Sequence, residues 1–345
     1  MKGVQLKRKD RIMGVAAAGM AGWAAYSYAK ANKPVPPDDE VRAYTRALFE
    51  GVGLGELYGT WREDALDLGD RRLALYHFES EPGDPVMVFV PGTSVYALLY
   101  AEYMFKLSRQ GFNVIGFDPR GHGRSSGKRG VYTLGKLVED ALAVIDYAFE
   151  TCGDKVAVSG SSQGGMIAFY CAAAEPRLKA AVCHNVIAPD EPDNERMTRW
   201  AGLFRPLMPF LPHLQPLMDS PLGRLMTPVS LYLDLEAETC RLIPDVGRFL
   251  KEDPLVASAV SLSALHSLPT TPLARRVEEI ETPVMVIHAG RDDIFPEDYV
   301  RRVYDRLNCE KKFLYLPDAP HLVMTDYVDD IIPPLSSWLE EMMQR

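Results

Sequence analysis

Cysteine is scarce in this 345-residue chain, with five residues at Cys152, Cys171, Cys183, Cys240 and Cys309. They are scattered and odd in number, so they form no disulfide framework and fit a reducing compartment. The seven histidines and the acids show no metal-ligand spacing. Bases are outnumbered, 38 Lys and Arg against 47 Asp and Glu, for a net charge of −9. That argues against the broad basic surface a nucleic-acid partner needs. There is no internal repeat and no Walker loop, because Gly127-Lys128 is followed by Arg129. Gly51-Val52-Gly53-Leu54-Gly55 imitates part of a dinucleotide loop, but it follows a helix-like stretch and reads as a helix end and loop. The remaining composition is ordinary for a globular protein, 47% hydrophobic and 25% charged. The length suits one large α/β domain with an insertion.

Against these absences, one pentapeptide stands out. Gly160-Ser161-Ser162-Gln163-Gly164 follows the strand-like Val156-Ala157-Val158 and precedes the helix-like Met166 to Ala174. G-x-S-x-G between a strand and a helix is a nucleophile elbow. The five residues alone also describe a plain turn; the setting favours the elbow. Gly160 and Gly164 remove side chains that would collide in so tight a turn, and the Ser162 hydroxyl then points out of the sheet. Ser161 fits less well, because Ser159 and Gln163 would occupy its glycine positions.

A serine hydroxyl needs an adjacent base, itself oriented by a third group. In this type of fold the chain order is Ser, then Asp or Glu, then His. The strand-like run from Pro283 to His288 ends in Ala289-Gly290-Arg291-Asp292-Asp293-Ile294-Phe295-Pro296. Asp292 is the candidate acid, Asp293 the alternative, and a turn acid capping a helix near Glu297 the plain reading. A second strand-like run, Lys312 to Pro317, leads through Asp318-Ala319-Pro320 to His321, expected in a loop free to swing beside Ser162. The other histidines read more plainly. His288 and His77 lie in strands, His122 belongs to a structural Gly-His-Gly, His213 and His266 are candidates for a pocket wall, and His184 ends a strand aimed toward the site. For the oxyanion, Gln163 N–H follows the nucleophile, and Thr93 N–H follows the strand-like Val86 to Val90 through Pro91-Gly92. Thr93 could equally cap a helix from Ala97 to Leu107.

Phe117-Asp118-Pro119-Arg120-Gly121-His122-Gly123-Arg124-Ser125, the elbow at Ser162, Asp292 and His321 together resemble the α/β-hydrolase superfamily. More narrowly, they resemble the monoglyceride lipase/lysophospholipase-like group, which overlaps the serine aminopeptidase S33 family. The resemblance covers about residues 70–187 and 280–340. It implies a Ser162–Asp292–His321 triad with a Thr93/Gln163 oxyanion hole. Three positions depart from the family pattern: Pro91 stands where His is frequent, Pro320 where Gly is usual, and Gln163 where Met is common.

Strand-like and helix-like segments alternate from about 65 to 185 and again from 280 onward, as in a mostly parallel sheet with helices on both faces. Leu134, Leu137, Val138, Ala141, Leu142, Ile145 and Ala148 form one helical stripe. Around Leu335, Trp338, Leu339 and Met342 a tail helix is expected to pack on the sheet. The hydrolase core is thus expected at 38–187 and 276–345. Residues 188–275, broken by Pro206, Pro209, Pro212, Pro216 and Pro221, read as an inserted helical cap without strands. There Leu203, Phe204, Leu207, Met208, Phe210 and Leu211 are either an apolar cavity wall or the cap's own core.

Residues 1–37 stand apart. Lys2, Lys7, Arg8, Lys9 and Arg11 precede the apolar stretch 12–29, and Pro34, Pro36 and Pro37 mark a linker. Three readings compete: a membrane anchor, which is preferred, a signal peptide cleaved at Ala29-Lys30-Ala31, or a surface helix. An anchor would send the catalytic domain outward, whereas the cysteines fit the cytoplasm, so the side of the membrane stays open. The expected activity is a cofactor-free and metal-free serine hydrolase acting on a hydrophobic ester. Alternatives are a peptidase of the proline-iminopeptidase type using Glu191, Glu195, Glu236 or Glu238 to hold an amine, an acyltransferase, and a non-catalytic binding protein.

Overall fold

The structure, a computed structural model, describes residues 18–233 and 238–345. Its centre is an eight-stranded sheet. In chain order the strands are β1 (Arg62–Asp67), β2 (Arg72–Phe78), β3 (Val86–Val90), β4 (Asn113–Phe117), β5 (Val156–Ser161), β6 (Ala180–His184), β9 (Val284–Arg291) and β10 (Lys311–Pro320). A separate two-stranded ribbon pairs β7 (Met226–Pro228) with β8 (Ala259–Ser261). The large sheet runs in the order β1-β2-β4-β3-β5-β6-β9-β10. β1, β2 and β4 pair antiparallel, and every pairing from β4 through β3 to β10 is parallel. This is the mostly parallel architecture the alternation implied.

The central strands are apolar runs because both faces are covered. Every residue of β3, β5 and β6 is buried, which is why their sequences show no polar alternation. Helix α1 covers residues 18–31, followed by α2 (Asp38–Gly51), α3 (Ala101–Ser108), α4 (Leu134–Cys152) and α5 (Gln163–Ala174). α4 buries Leu134, Leu137, Ala141, Ile145 and Ala148 of the expected stripe; Val138 and Leu142 are half-buried, and Val144 joins the buried face together with Asp140. That carboxylate is fully buried because Arg71 and Arg120 both donate to it, at 2.6 and 2.7 Å. The tail helix Val328–Met343 buries Leu335, Trp338, Leu339 and Met342 as anticipated.

The Asp118 motif is a clasp. The Asp118 carboxylate accepts from Tyr76 Oη, Arg124 N and Ala97 N, each at 2.8 Å, so it ties β2, its own loop and the start of the helical turn Ala97–Tyr100 together. Gly123 sits at φ +46°, and a Cβ there would overlap the Asp118 carboxylate. The Ser125 hydroxyl donates to the Asp118 carbonyl and accepts from Ala74 N. Buried His122 turns to the Arg120 carbonyl at 3.0 Å, a structural role.

One expectation changes outside the core. The segment between β6 and β9 is mostly short helical turns, yet it contains the β7–β8 ribbon. Strands of three residues, one ending in Pro228, are too short to show a period. The N-terminal segment is helical over 18–31, and among the described residues no helix is long and apolar enough to cross a membrane. Residues 12–17 of the anchor reading lie outside the described residues. The described part of α1 lies on the surface and docks by its side chains. Trp23 Nε1 donates to Met226 O at 2.8 Å, Met226 N donates to Ser27 Oγ at 2.9 Å, and Lys30 Nζ donates to Ser258 Oγ at 2.8 Å. Lys33 Nζ follows with a bond to Asp253 O at 2.8 Å.

Candidate active site

Ser162 sits between the end of β5 and the first residue of α5, at φ 56° and ψ −120°. A non-glycine residue with positive φ is strained unless its surroundings hold it. Here the flanking glycines make the hold possible. A Cβ on Gly160 would overlap the Gly164 carbonyl, and one on Gly164 would overlap the Val90 carbonyl. Ser162 N donates to His184 O, and Met166 N donates to Ser162 O at 3.1 Å. The hydroxyl is thereby presented at the carboxyl edge of the sheet, above the N-terminus of α5, where unpaired N–H groups and the helix dipole favour negative charge.

His321 reaches this hydroxyl. Its Nε2 lies 2.9 Å from Ser162 Oγ, and its Nδ1 lies 2.9 Å from Asp292 Oδ2. The Asp292 carboxylate is fully buried. Its Oδ1 accepts from Ile294 N and Phe295 N at 2.9 Å each, and Asn185 Nδ2 donates to Oδ2 at 3.3 Å. Asp293 is exposed and makes none of these contacts. The sequence placed His321 in a loop, as a side chain free to swing. It follows directly on β10, which runs to Pro320, and is 2% exposed. Burial does not keep it from Ser162; it holds the ring in place. Phe295 stacks on the ring at 5.8 Å with 5° between the planes, and the His184 ring lies 5.3 Å away.

The electrostatics follow from this packing. Burial alone would raise the Asp292 pKa, but the neighbouring His321, its hydrogen bond, His184 and Phe295 N–H bring the carboxyl well below the usual carboxylate range. For His321 burial works to lower the pKa, and Asp292, its hydrogen bond and Glu238 together raise it above the ordinary imidazole value. His184, fully buried, is pushed down to about 3 by desolvation and by His321, so it stays neutral beside the pair. Its Nδ1 lies 3.3 Å from Ser161 Oγ and its Nε2 3.9 Å from Asp292 Oδ2, so it points toward the site as its strand end suggested. His288 is buried in β9 against Asn185.

Thr93 and Gln163 line one cavity with Ser162. Thr93 caps no helix, because the chain turns through Ala97–Tyr100 with Tyr96 at its N-cap before α3 begins. Gly92 lets this loop close on Ser162; a Cβ there would stand 3.5 Å from Ser162 Cβ and 3.0 Å from Tyr100 Oη. Gln163 is buried, and its Oε1 accepts from Tyr132 Oη at 3.4 Å, which turns the amide away from solvent.

The cavity holds about 290 Å³. Phe204, Met208, Leu211, Leu214, Met218 and Leu265 are among its walls. Of the six apolar residues singled out in the sequence, Phe204, Met208 and Leu211 thus face the cavity. The other three, Leu203, Leu207 and Phe210, are exposed. His266 lines the cavity, whereas His213 is exposed. Glu191, Glu195 and Glu238 are all engaged. Glu191 pairs with Arg302 and Arg306, Glu195 with Arg205, and Glu238 accepts from His321 N. Glu236 lies outside the described residues. The role of Glu238 was not legible in the sequence; nothing local marks a carboxylate whose partner is 83 residues away.

The family model of the serine aminopeptidases, S33, matches residues 81–327. The chain belongs to this family. Among its relatives, a monoacylglycerol lipase from Mycolicibacterium smegmatis is 26% identical over 300 residues, 84% of this chain and 95% of the relative. A bifunctional esterase/perhydrolase from Acinetobacter calcoaceticus is 23% identical over 263 residues, 74% of this chain and 91% of the relative. The crystal structure of a monoacylglycerol lipase from Paleococcus ferrophilus superposes with a TM-score of 0.60 at 23% identity, covering 78% of this chain and 99% of that one. The S33 protein described here is therefore an α/β hydrolase, similar to the monoglyceride lipase-like group.

Proposed function

We propose that this chain is a serine hydrolase that cleaves carboxylic esters of hydrophobic, lipid-like molecules through an acyl-enzyme. One observation carries the reading: the Ser162–His321–Asp292 hydrogen-bonded chain opens onto an apolar cavity. In this reading the segment 188–275 is a cap whose inner wall receives the acyl chain.

Asp292 takes the hydrogen bond from His321 Nδ1–H, which leaves the Nε2 lone pair facing Ser162 Oγ–H. Ser162 Oγ bonds to the ester carbonyl carbon as its proton passes to Nε2. Thr93 and Gln163 N–H groups stabilise the resulting oxyanion. When the carbon–oxygen bond to the leaving group breaks, the alkoxide takes the proton from His321. Water then repeats the sequence on the acyl-enzyme and frees the acid.

A base must be neutral to accept a proton. The raised His321 pKa therefore places the acidic limb of kcat/KM above the pH of an ordinary imidazole, and activity falls as pH drops through it. Asp292 stays ionised throughout and adds no limb near neutrality. A pH–rate profile on a soluble ester checks this. A limb below the free-imidazole value would mean that the Asp292 contact is broken in solution.

The substrate class is tested by chain length. Leu214→Trp or Met208→Trp fills the cavity, and discrimination by packing follows methylene-sized differences. Long-acyl p-nitrophenyl esters are expected to lose at least about tenfold in kcat/KM while acetyl and butyryl esters change little. An equal loss on all esters would place the acyl chain elsewhere. The aminopeptidase alternative needs an uncommitted acid near the site for a free amine. The three candidate glutamates that are described are all engaged, which favours the ester. Release of amine from aminoacyl amides faster than of acid from esters would reverse this preference.

A further inference from the structure

We infer that Glu238 is a positioning residue for the base: its carboxylate, carried by the cap, fixes the backbone of His321 and sets a second negative charge beside the imidazole. The inference rests on the serine-hydrolase reading above. Glu238 is 2% exposed, and its Oε2 accepts from His321 N at 3.0 Å. Pro320 has no N–H, so the His321 N–H is the first donor the chain offers after β10. A buried donor of this kind needs a partner, and the partner comes from the cap rather than from the core.

The rest of the same cap segment is pinned nearby. Cys240 and Ile243 exchange backbone bonds at 3.2 and 3.0 Å, making a compact turn. Arg241 N donates to both Asp326 carboxylate oxygens at 3.0 Å, and the Arg241 guanidinium pairs with Glu102 on α3. Residues 238–243 are thus clamped to the core at His321, Asp326 and Glu102. Glu238 does not line the apolar cavity beside Ser162. The two carboxylates divide the work on one histidine. Asp292 sets the tautomer through Nδ1, and Glu238 sets where the ring hangs through the main chain. The base is therefore best held when the cap is seated.

The titratable groups around His321 are Asp292 from the turn after β9, His184 from β6, His288 from β9 and Glu238. Around Glu238 they are His321, Asp292 and Asp293. Burial raises the Glu238 carboxyl, the imidazolium opposes that, and the other two acids add to it. Removing its charge leaves Asp292 as the main support of the imidazolium.

The test compares wild type, Glu238→Gln and Glu238→Ala by fluorophosphonate labelling rate and by kcat and KM on a butyryl ester from pH 5 to 9, with circular dichroism to confirm folding. Glutamine keeps an oxygen for His321 N but no charge. Its acidic limb is expected to move to lower pH with kcat at neutral pH within about tenfold of wild type. Alanine removes both contributions; kcat is expected to fall about 10- to 100-fold, as for a misplaced catalytic group, with KM little changed. Unmoved limbs and kcat in both variants would overturn the inference. So would a rise in KM alone, which would make Glu238 a substrate contact. If the alanine variant does not fold, an unmoved limb in the glutamine variant overturns it alone. A wild type that takes no label overturns the serine-hydrolase reading itself, a result no Glu238 variant can mimic.

Discussion

Ser162→Ala is expected to lower kcat on a butyryl ester by about 10^5- to 10^6-fold, the loss found when the nucleophile of such a unit is removed. The same variant should take no fluorophosphonate, read as intact mass, while wild type gains a single adduct. Folding is not at issue, because the elbow is set by Gly160, Gly164 and the backbone bonds of Ser162, none of which uses the hydroxyl. Ser161→Ala is the control. Ser161 Oγ is buried against His184 Nδ1 at 3.3 Å and makes no contact with His321, so its loss is expected to lower kcat by less than about tenfold. Turnover retained by Ser162→Ala and lost by Ser161→Ala would move the nucleophile by one residue. An adduct on neither protein, with wild type folded, would favour a binding protein on this fold.

Asp292→Asn is expected to lower kcat by about 10^4-fold at neutral pH. The asparagine amide is nearly isosteric, and its oxygen can still take Ile294 N–H and Phe295 N–H. Its nitrogen then meets His321 Nδ1 with a proton of its own. The ring must carry its proton on Nε2, and the lone pair that should face Ser162 is gone. Asp293→Asn, one residue on, is exposed and is expected to stay within about twofold of wild type. The two variants, assayed side by side on one ester, decide which acid orients the base. A large loss in Asp293→Asn with Asp292→Asn active would reverse the assignment.

The sheet was legible because its central strands are buried on both faces and so are written as apolar runs. The elbow at Ser162 was legible because a tight strand-to-helix turn tolerates only glycine at Gly160 and Gly164. Asp292 follows such a run in β9 and His321 the shorter apolar stretch of the edge strand β10, which made them findable without knowing their distance from Ser162. Long-range pairings leave no such trace. Asp140 lies within an otherwise apolar stripe, and only the fold shows that Arg71 and Arg120 neutralise it. Glu238 looked like one of four interchangeable acids until its partner proved to be a backbone N–H. Between β6 and β9, a proline-rich 3-10 helix over Arg205–Leu214 turns every three residues. An apolar run there is shared between cavity and solvent, and neither a wall nor a core reading alone describes it.

The chain's beginning and its inserted segment also meet, through Trp23 and Ser27 on Met226 and Lys30 on Ser258. In mechanical terms α1 is a brace that rests on the β7–β8 ribbon and the residue just before β8, more than two hundred residues downstream. Swinging α1 away from the body of the protein would break its bonds to Met226 and Ser258, so the helix and the inserted segment move as one piece or part at these three contacts.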